Sequence, residues 1–399
     1  MTLRVWNNKN LVGITSTSDL TTEGIKKAMK GAIEASLFGN KNESPEFSSM
    51  AQTKIKEVNS KISSPHTIDD LLCLLKDAEK QLIDTHPSID SVPYNGLNES
   101  YMERIYINSE GASRHMKLTQ SSIYLYAKAE ENNKKPRSAG CVKVNSDIKN
   151  LDINSCIKET SDKLVSHLNY KPIETNKYLV CFSPEAFLQL ISAFSSMFNA
   201  RSIIDGLSLM NESSIGNQIS VPTLNISDEG LHPQNVGSFS FDGEGTPTQN
   251  IKLVSDGKLI NLLHSEATAR KFGVKPTGHA GLGAKVSVSP DWLVVSKSFS
   301  EIDKDESLNI KNTYKEYVQI DELSAIHSGV KASQGSFSLP FDGWIVKNGK
   351  KTSIEAATVA GDILKILNSI VKIENEQIVT HQGISPHVWV ENISITGEA

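Results

Sequence analysis

From Ile219 onward the chain reads as a succession of strands, and two dipeptides fix how neighbouring strands connect. Asp256-Gly257 sits at the centre of the stretch from Lys252 to Ile260, and Asn348-Gly349 at the centre of the stretch from Trp344 to Lys350. Both central residues of a two-residue hairpin loop must accept positive φ, and Asp-Gly and Asn-Gly do so at low steric cost. Two such turns commit this half of the chain to antiparallel pairing. Asp291-Trp292-Leu293-Val294-Val295 adds a buried strand. Helices are few here. One runs from Ser265 to Phe272 and is stopped by Gly273. A later one carries Ile363, Leu364, Leu367, Ile370 and Val371.

Just ahead of this region, Tyr178-Leu179-Val180-Cys181-Phe182 reads as a buried strand. Ser183-Pro184-Glu185 then has the marks of a helix start: a Ser cap, Pro at the first position and an acid behind it. Phe187, Ile191, Phe194 and Phe198 mark one face of a core helix expected from Ser183 to Ala200.

The first half alternates short strands with amphipathic helices. Leu3, Val5 and Leu11 flank the polar turn Asn7-Asn8-Lys9-Asn10. Thr21 caps a helix whose inner face is Ile25, Ala28, Met29, Ala32 and Ile33. Asn40 to Ser64 is rich in Ser, Asn and Lys and reads as a long surface connection. Thr67 opens a second helix with an apolar stripe at Leu71, Leu74, Leu75, Ala78 and Leu82. Strand-like stretches follow at 104–107, 116–119 and 122–127, with a turn at Asn108-Ser109-Glu110-Gly111. A third helix carries Ile153, Ile157, Leu164 and Leu168. The class is α+β. An N-terminal α/β domain over residues 1–172, with a mixed sheet flanked by helices, precedes a mostly β C-terminal domain over residues 173–399 with a few helices.

Charge narrows the partners. The 399 residues carry 41 Lys+Arg against 46 Asp+Glu, a net charge of −5. This acid excess argues against nucleic-acid binding, which calls for a basic domain. No run reaches the ~18 apolar residues of a membrane span. The first residues lack a charged region followed by an apolar one, so the expected location is cytoplasmic. The four cysteines, Cys73, Cys141, Cys156 and Cys181, include no Cys-x-x-Cys pair and are read as reduced thiols, mostly packed in the core.

No histidine is followed by Glu, so the helix motifs that hold Zn²⁺ on two imidazoles are absent. No metal and no cofactor are expected, although His264, His279 and His327 could converge in space. No Gly-x-Ser-x-Gly elbow is present. The run Gly278-His279-Ala280-Gly281-Leu282-Gly283-Ala284-Lys285 lacks the Lys and hydroxyl placement of a phosphate loop, and reads as a connection whose backbone approaches another segment. Asp242-Gly243-Glu244-Gly245 pairs two carboxylates in a glycine-flanked turn. It reads as a tight turn bonded to nearby N–H groups, with acid–base work as the alternative.

The order Phe241-Asp242-Gly243-Glu244-Gly245-Thr246-Pro247-Thr248-Gln249, Asp256-Gly257, Ala269-Arg270-Lys271-Phe272-Gly273 and Thr277-Gly278-His279-Ala280 resembles the signature region of the TldD/PmbA family. Gly343-Trp344-Ile345-Val346-Lys347-Asn348-Gly349 and Thr358-Val359-Ala360-Gly361-Asp362 extend the likeness, and upstream Ser16-Thr17-Ser18-Asp19-Leu20 and Asn108-Ser109-Glu110-Gly111 also fit. TldD-like members resemble metallopeptidases with a His-Glu-x-x-x-His helix and a Cys ligand near the C-terminus. PmbA or TldE-like members lack those ligands and form a complex with TldD. The pair degrades or trims unstructured peptides, and an older name calls members modulators of DNA gyrase.

The helix from Ser183 to Ala200 has no strong Zn²⁺ ligand at Leu190 to Met197, and the last cysteine is Cys181, so this chain is similar to the PmbA branch. The resemblance implies a partner subunit of a peptidase that joins a TldD-like subunit or a second copy of itself. It would hold an extended peptide by strand addition. Asp242, Gly243, Glu244, Gly245, Thr246, Thr277, Gly278 and His279 are the candidates for lining the peptide groove. Two alternatives are an autonomous peptidase using His264, His279 and the Asp242/Glu244 pair, and a regulator acting on a topoisomerase through protein contacts. Against the family pattern the chain is expected to lack ~50 residues before Val5, which would leave a sheet edge unpartnered.

Overall fold

The computed structural model describes residues 1–39, 46–56, 66–283, 285–298 and 314–397. At the start, β1 (Thr2–Trp6) and β2 (Val12–Ser16) form an antiparallel pair. Helix α1 (Thr22–Ser36) covers it, and its Thr21 cap accepts from the Gly24 N–H as the sequence predicts. Helix α2 (Ile68–Asp84) begins with a full capping box between Thr67 and Asp70.

Two long strands replace the three short ones expected next. β3 (Ile89–Ile107) and β4 (Ser113–Ala129) form one hairpin, turned at 108–111, and β5 (Arg137–Asn145) pairs with β4. Pro93 hides the start of β3 from sequence reading. It is tolerated because β3 is an edge strand and the register shifts between Ser91 and Tyr94. Both N-terminal sheets are antiparallel and separate, rather than one mixed sheet. One face of β4–β5 buries Ile123, Leu125, Ala127 and Ala139 against Ala78 and Leu82 of α2. Cys156, Ile157 and Leu164 of α3 (Ile153–Ser166) complete this core.

The C-terminal half holds the larger core. A nine-stranded sheet and a six-stranded sheet enclose Phe182, Phe187, Leu190, Phe194, Phe198, Leu224, Leu253, Val295, Val318, Leu339 and Val359. The α+β class thus holds. Both hairpin dipeptides adopt the predicted backbone, with φ of 48° and 75° at Asp256-Gly257 and 49° and 77° at Asn348-Gly349.

The helix expected from Ser183 to Ala200 is broken. α4 (Pro184–Ala193) ends at Phe194, Ser195–Phe198 is a 3₁₀ turn, and α5 (Ala200–Ile204) starts anew. Asn199 causes the restart: its side chain accepts from the Arg201 and Ser202 N–H groups, a competing cap. Likewise the late helix stops at Asn368, and Ile370–Ile373 pairs as a strand with Val388–Gly397. The short helix α6 (Glu266–Phe272) ends on left-handed Gly273 as expected.

Cys156 and Cys181 are buried, whereas Cys73 is exposed on the outer side of α2 and Cys141 is partly exposed. The expected surface connection over 40–64 falls mainly outside the described residues. Within it, Ser48 and Ala51 are buried.

Candidate functional site

All eight residues singled out in the sequence come together, and the structure packs them inward. Seven are buried and Gly243 is half-buried. Asp242 organises the group. Its Oδ1 accepts from the N–H groups of Glu244 at 2.9 Å and Thr246 at 3.0 Å, and its Oδ2 from Ala280 at 2.9 Å. One carboxylate therefore ties the 242–246 turn to the 277–283 loop. Burial, with the Glu244 carboxylate beside it, pushes Asp242 up to about 7, against three N–H bonds that favour the ionised form.

Glu244 points the other way. Its Oε1 accepts from Arg4 Nη1 at 3.1 Å and its Oε2 from the Glu266 N–H at 2.8 Å, at the N-terminus of α6. The Thr246 hydroxyl meets Ser48 Oγ at 2.8 Å. Arg114 Nε donates to the Gly245 carbonyl, and the Tyr106 ring lies so close to Gly245 that a Cβ there would sit 2.5 Å from it. Gly278, at φ 81°, passes the Pro247 carbonyl where a Cβ would stand 2.3 Å from the oxygen. The glycines of both motifs thus serve close backbone approach.

The Thr277 hydroxyl donates to the His264 carbonyl at 3.1 Å and accepts from the His264 N–H at 2.8 Å. With that proton engaged, His279 Nδ1, 2.9 Å away, must be the donor to Thr277. His279 Nε2 then faces Asp228 Oδ2 at 3.6 Å. Burial works against a charged imidazole there, but Asp228, with Asp291 and Asp242 behind it, raises the His279 pKa overall. The cluster is a polar joint. It fastens β1, residues 46–56 and the tip of the β3–β4 hairpin to the C-terminal unit.

The open chemistry lies elsewhere. A cleft of about 1280 Å³ runs between the N-terminal sheet and α4, and none of the eight residues lines it. One wall is β5 with Tyr124 and Tyr126 of β4. The other includes Pro184, Glu185 and Gln189 of α4, the acids Asp321 and Glu322, and the segment Ile378 to Gln382. β5 ends the order β3-β4-β5, and Ile378–Val379 ends the six-stranded sheet, so each wall carries a terminal strand. Residues 140–146 line the cleft consecutively. Side chains of a strand alternate between faces, so a consecutive run presents the strand's edge.

Sequence reasoning missed Glu185. Pro184-Glu185-Ala186-Phe187-Leu188-Gln189 has the spacing of His-Glu-x-x-x-His with only the Glu kept, and it begins at the cleft-facing N-terminus of α4. With Pro184 and Gln189 at the two histidine positions, the sequence carries no motif there, and only the cleft draws attention to Glu185. The Glu185 carboxyl is raised by burial, and its Oε1 lies 3.8 Å from His381 Nδ1.

A family metal does not fit these residues. Pro184 offers no side-chain donor atom, and Gln189 Oε1 is occupied by the Leu323 N–H at 2.9 Å. Among the described residues no group of three or more His, Cys, Asp or Glu side chains is placed to hold a metal ion.

Two family models match the chain: the "PmbA/TldA metallopeptidase central domain" over residues 59–168 and the "PmbA/TldA metallopeptidase C-terminal domain" over residues 175–397. Metalloprotease PmbA of Escherichia coli O157:H7 is 23% identical over 98% of this chain and 84% of its own length. Metalloprotease slr0863 of Synechocystis sp. is 32% identical over 135 residues, which are 34% of this chain and 29% of that protein. A solved Thermotoga maritima protein, described as a candidate modulator of a DNA gyrase, superimposes with a TM-score of 0.85 at 25% identity, covering 99% of this chain and 88% of its own. The TldE structure from Thermococcus kodakarensis gives 0.78 at 18% identity, covering 99% and 89%, a likeness of fold.

Proposed function

The chain belongs to the PmbA/TldD family, and from that premise we propose that it is the PmbA/TldE-like, non-metal subunit of a peptidase complex acting on unstructured peptides. The observation that carries this reading is the donor set at the start of α4. A lone Glu185 stands between a proline and an amide already bonded to backbone, in the wall of the cleft between β5 and α4. Glu185 and the cleft supply a place to hold substrate, while hydrolysis is assigned to a TldD-like partner bearing the metal.

Two terminal strands on opposite walls suit an extended peptide, whose free N–H and C=O groups pair with a sheet edge without needing a particular side chain. The buried Asp242–Thr246 and Thr277–His279 segments support this cleft from a distance by fixing the hairpin tip to the C-terminal unit. Location in the cytoplasm follows from the same proposal.

Native mass spectrometry of the chain, alone and mixed with a TldD-like counterpart, tests the proposal. The expected spectrum shows a metal-free chain that joins the counterpart, with peptidase activity appearing only in the mixture. One tightly held Zn²⁺ per chain, with activity in the chain alone, overturns it.

A further inference from the structure

Three features that the proposed peptide binding does not use invite a role: the apolar outer stripe of α1, the buried His279–Asp228 pair, and two neighbouring cysteines, one in the cleft wall and one behind it. Cys141 sits on β5 with its side chain toward α3, and Cys156 sits on the facing turn of α3. Cys156 Sγ donates to the Cys141 carbonyl oxygen at 3.5 Å, which sets the two residues side by side with their thiols near enough to interact. Cys141 is partly exposed and lines the cleft, whereas Cys156 is fully buried. One sulfur is open to a small oxidant and the other waits behind it as a resolving thiol.

The surroundings distribute the proton. The single Cys141 thiol proton is shared between the Cys156 sulfur and Glu159 Oε2 at 3.2 Å, and Lys143 Nζ holds both oxygens of that carboxylate at 2.6 and 2.7 Å. The bond to Cys156, burial and Glu159 raise the Cys141 thiol. The bond from Cys141, assisted by Lys143, draws the Cys156 thiol below its ordinary value despite burial. The pair thus keeps Cys141, the sulfur open to solvent, mainly a thiol, so a peroxide reacts slowly, through its minor thiolate form, while Cys156 is ready as the resolving sulfur.

We propose that Cys141 and Cys156 are a reversible redox site, closed to an intramolecular disulfide by a hydroperoxide and opened by a dithiol. In the first step, with hydrogen peroxide as the oxidant, the Cys141 thiol gives up its proton, its sulfur takes one oxygen as the O–O bond breaks, and the other oxygen leaves with that proton as water. In the second the Cys156 sulfur displaces that oxygen as a second water and forms the S–S bond. The peroxide gains two electrons and the two thiols lose two. The bond staples the cleft strand β5 to α3 and takes away the thiol that Glu159 accepts from. Nothing in this depends on the subunit assignment.

The test uses the full chain with Cys73→Ser, which removes the exposed thiol from α2. After treatment with hydrogen peroxide, the protein is denatured, alkylated and mapped by mass spectrometry without reductant. The expected product is one cross-linked pair of peptides holding Cys141 and Cys156, lighter by two hydrogens and lacking both alkyl groups, and dithiothreitol restores both. With Cys156→Ala added, dimedone should trap a sulfenic acid at Cys141. The proposal is overturned if Cys141 reaches the sulfinic acid while Cys156 stays alkylatable. It is equally overturned if neither reacts under peroxide that oxidises Cys73 in the parent chain.

Discussion

Arg4 Nη1 and Glu244 Oε1 meet at 3.1 Å across 240 residues, and both side chains are only 8% exposed. The pair locks the first strand to the turn that carries the family signature. Truncating Arg4 to Met leaves Glu244 buried with one charged partner fewer, which should cost about 3–5 kcal/mol. Adding Glu244→Gln should recover part of that, since it removes the uncompensated charge. Urea midpoints of the two single variants and the double variant measure the difference. Additive losses would mean that the contact contributes nothing of its own.

The glycines of the signature separate into two kinds. Gly349 has φ 77° and open space around the position of a Cβ, whereas Gly278 has φ 81° and the Pro247 carbonyl 2.3 Å from that position. Gly349→Ala should cost about 1–2 kcal/mol, the penalty of a left-handed L-residue. Gly278→Ala adds a backbone collision and should cost roughly 3 kcal/mol or more. Chemical denaturation of both variants checks the order, and equal losses would contradict the close approach.

His167 couples stability to pH. Its ring stacks on Trp344 at 4.6 Å and its Nδ1 meets Ser353 Oγ at 2.7 Å. Burial, and then the charge of Arg137, press it down to about 4 from 6.5. Between those values the unfolded chain binds a proton that the folded chain refuses, so stability rises with pH across this window. It is full above about 6.5 and declines as pH falls toward 4, by at most about 1.4 kcal/mol per pH unit. His167→Phe should flatten the acid limb of the stability curve by that amount, whatever it does to the plateau. An unchanged slope would place the proton uptake elsewhere, with the buried His264 next in line because burial also brings it to about 4.

Local signals were legible in the sequence wherever a single side chain decides the backbone. Thr21, Thr67, Ser183, Gly273 and the two hairpin dipeptides all do what their chemistry predicts. Decisions made by tertiary partners were not legible. Edge position with a register shift admits Pro93 to a strand, and one local cap also went unread, Asn199 restarting a helix that the spacing of Phe194 and Phe198 would have continued. At the site, the sequence showed an Asp242 turn bonded to N–H groups and a Gly-rich connection approaching some other segment, and the structure joins the two at Ala280. The burial of this joint was not legible, because the covering groups, Arg4, Ser48, Tyr106 and Arg114, come from distant segments. Glu185 was overlooked for the converse reason: one carboxylate without its histidines has no motif, and only the cleft makes it noticeable.

Strand addition along β5 makes a prediction about parity. In a β-strand every second N–H points to a given neighbour, and the others point away. A labelled unstructured peptide bound to the edge of β5 should therefore tolerate N-methylation at one set of alternate residues and lose binding when the other set is methylated, because a methyl group removes the donor and fills the gap between strands. Its side chains should alternate as well. One set would lie on the side of Tyr126 and Val142, and the other on the side of Lys143 and Glu159, which the Lys143–Glu159 contact places toward α3. Tyr126→Ala should then weaken peptides with large apolar residues on the first set and spare those with small ones. Fluorescence anisotropy of the two methylated series, on the chain alone and mixed with a TldD-like counterpart, separates the cases. Equal loss in both series means that the peptide is gripped from both sides at once, by β5 and by the strand Ile378–Val379. Equal tolerance means that side chains alone hold it, and β5 is not its template.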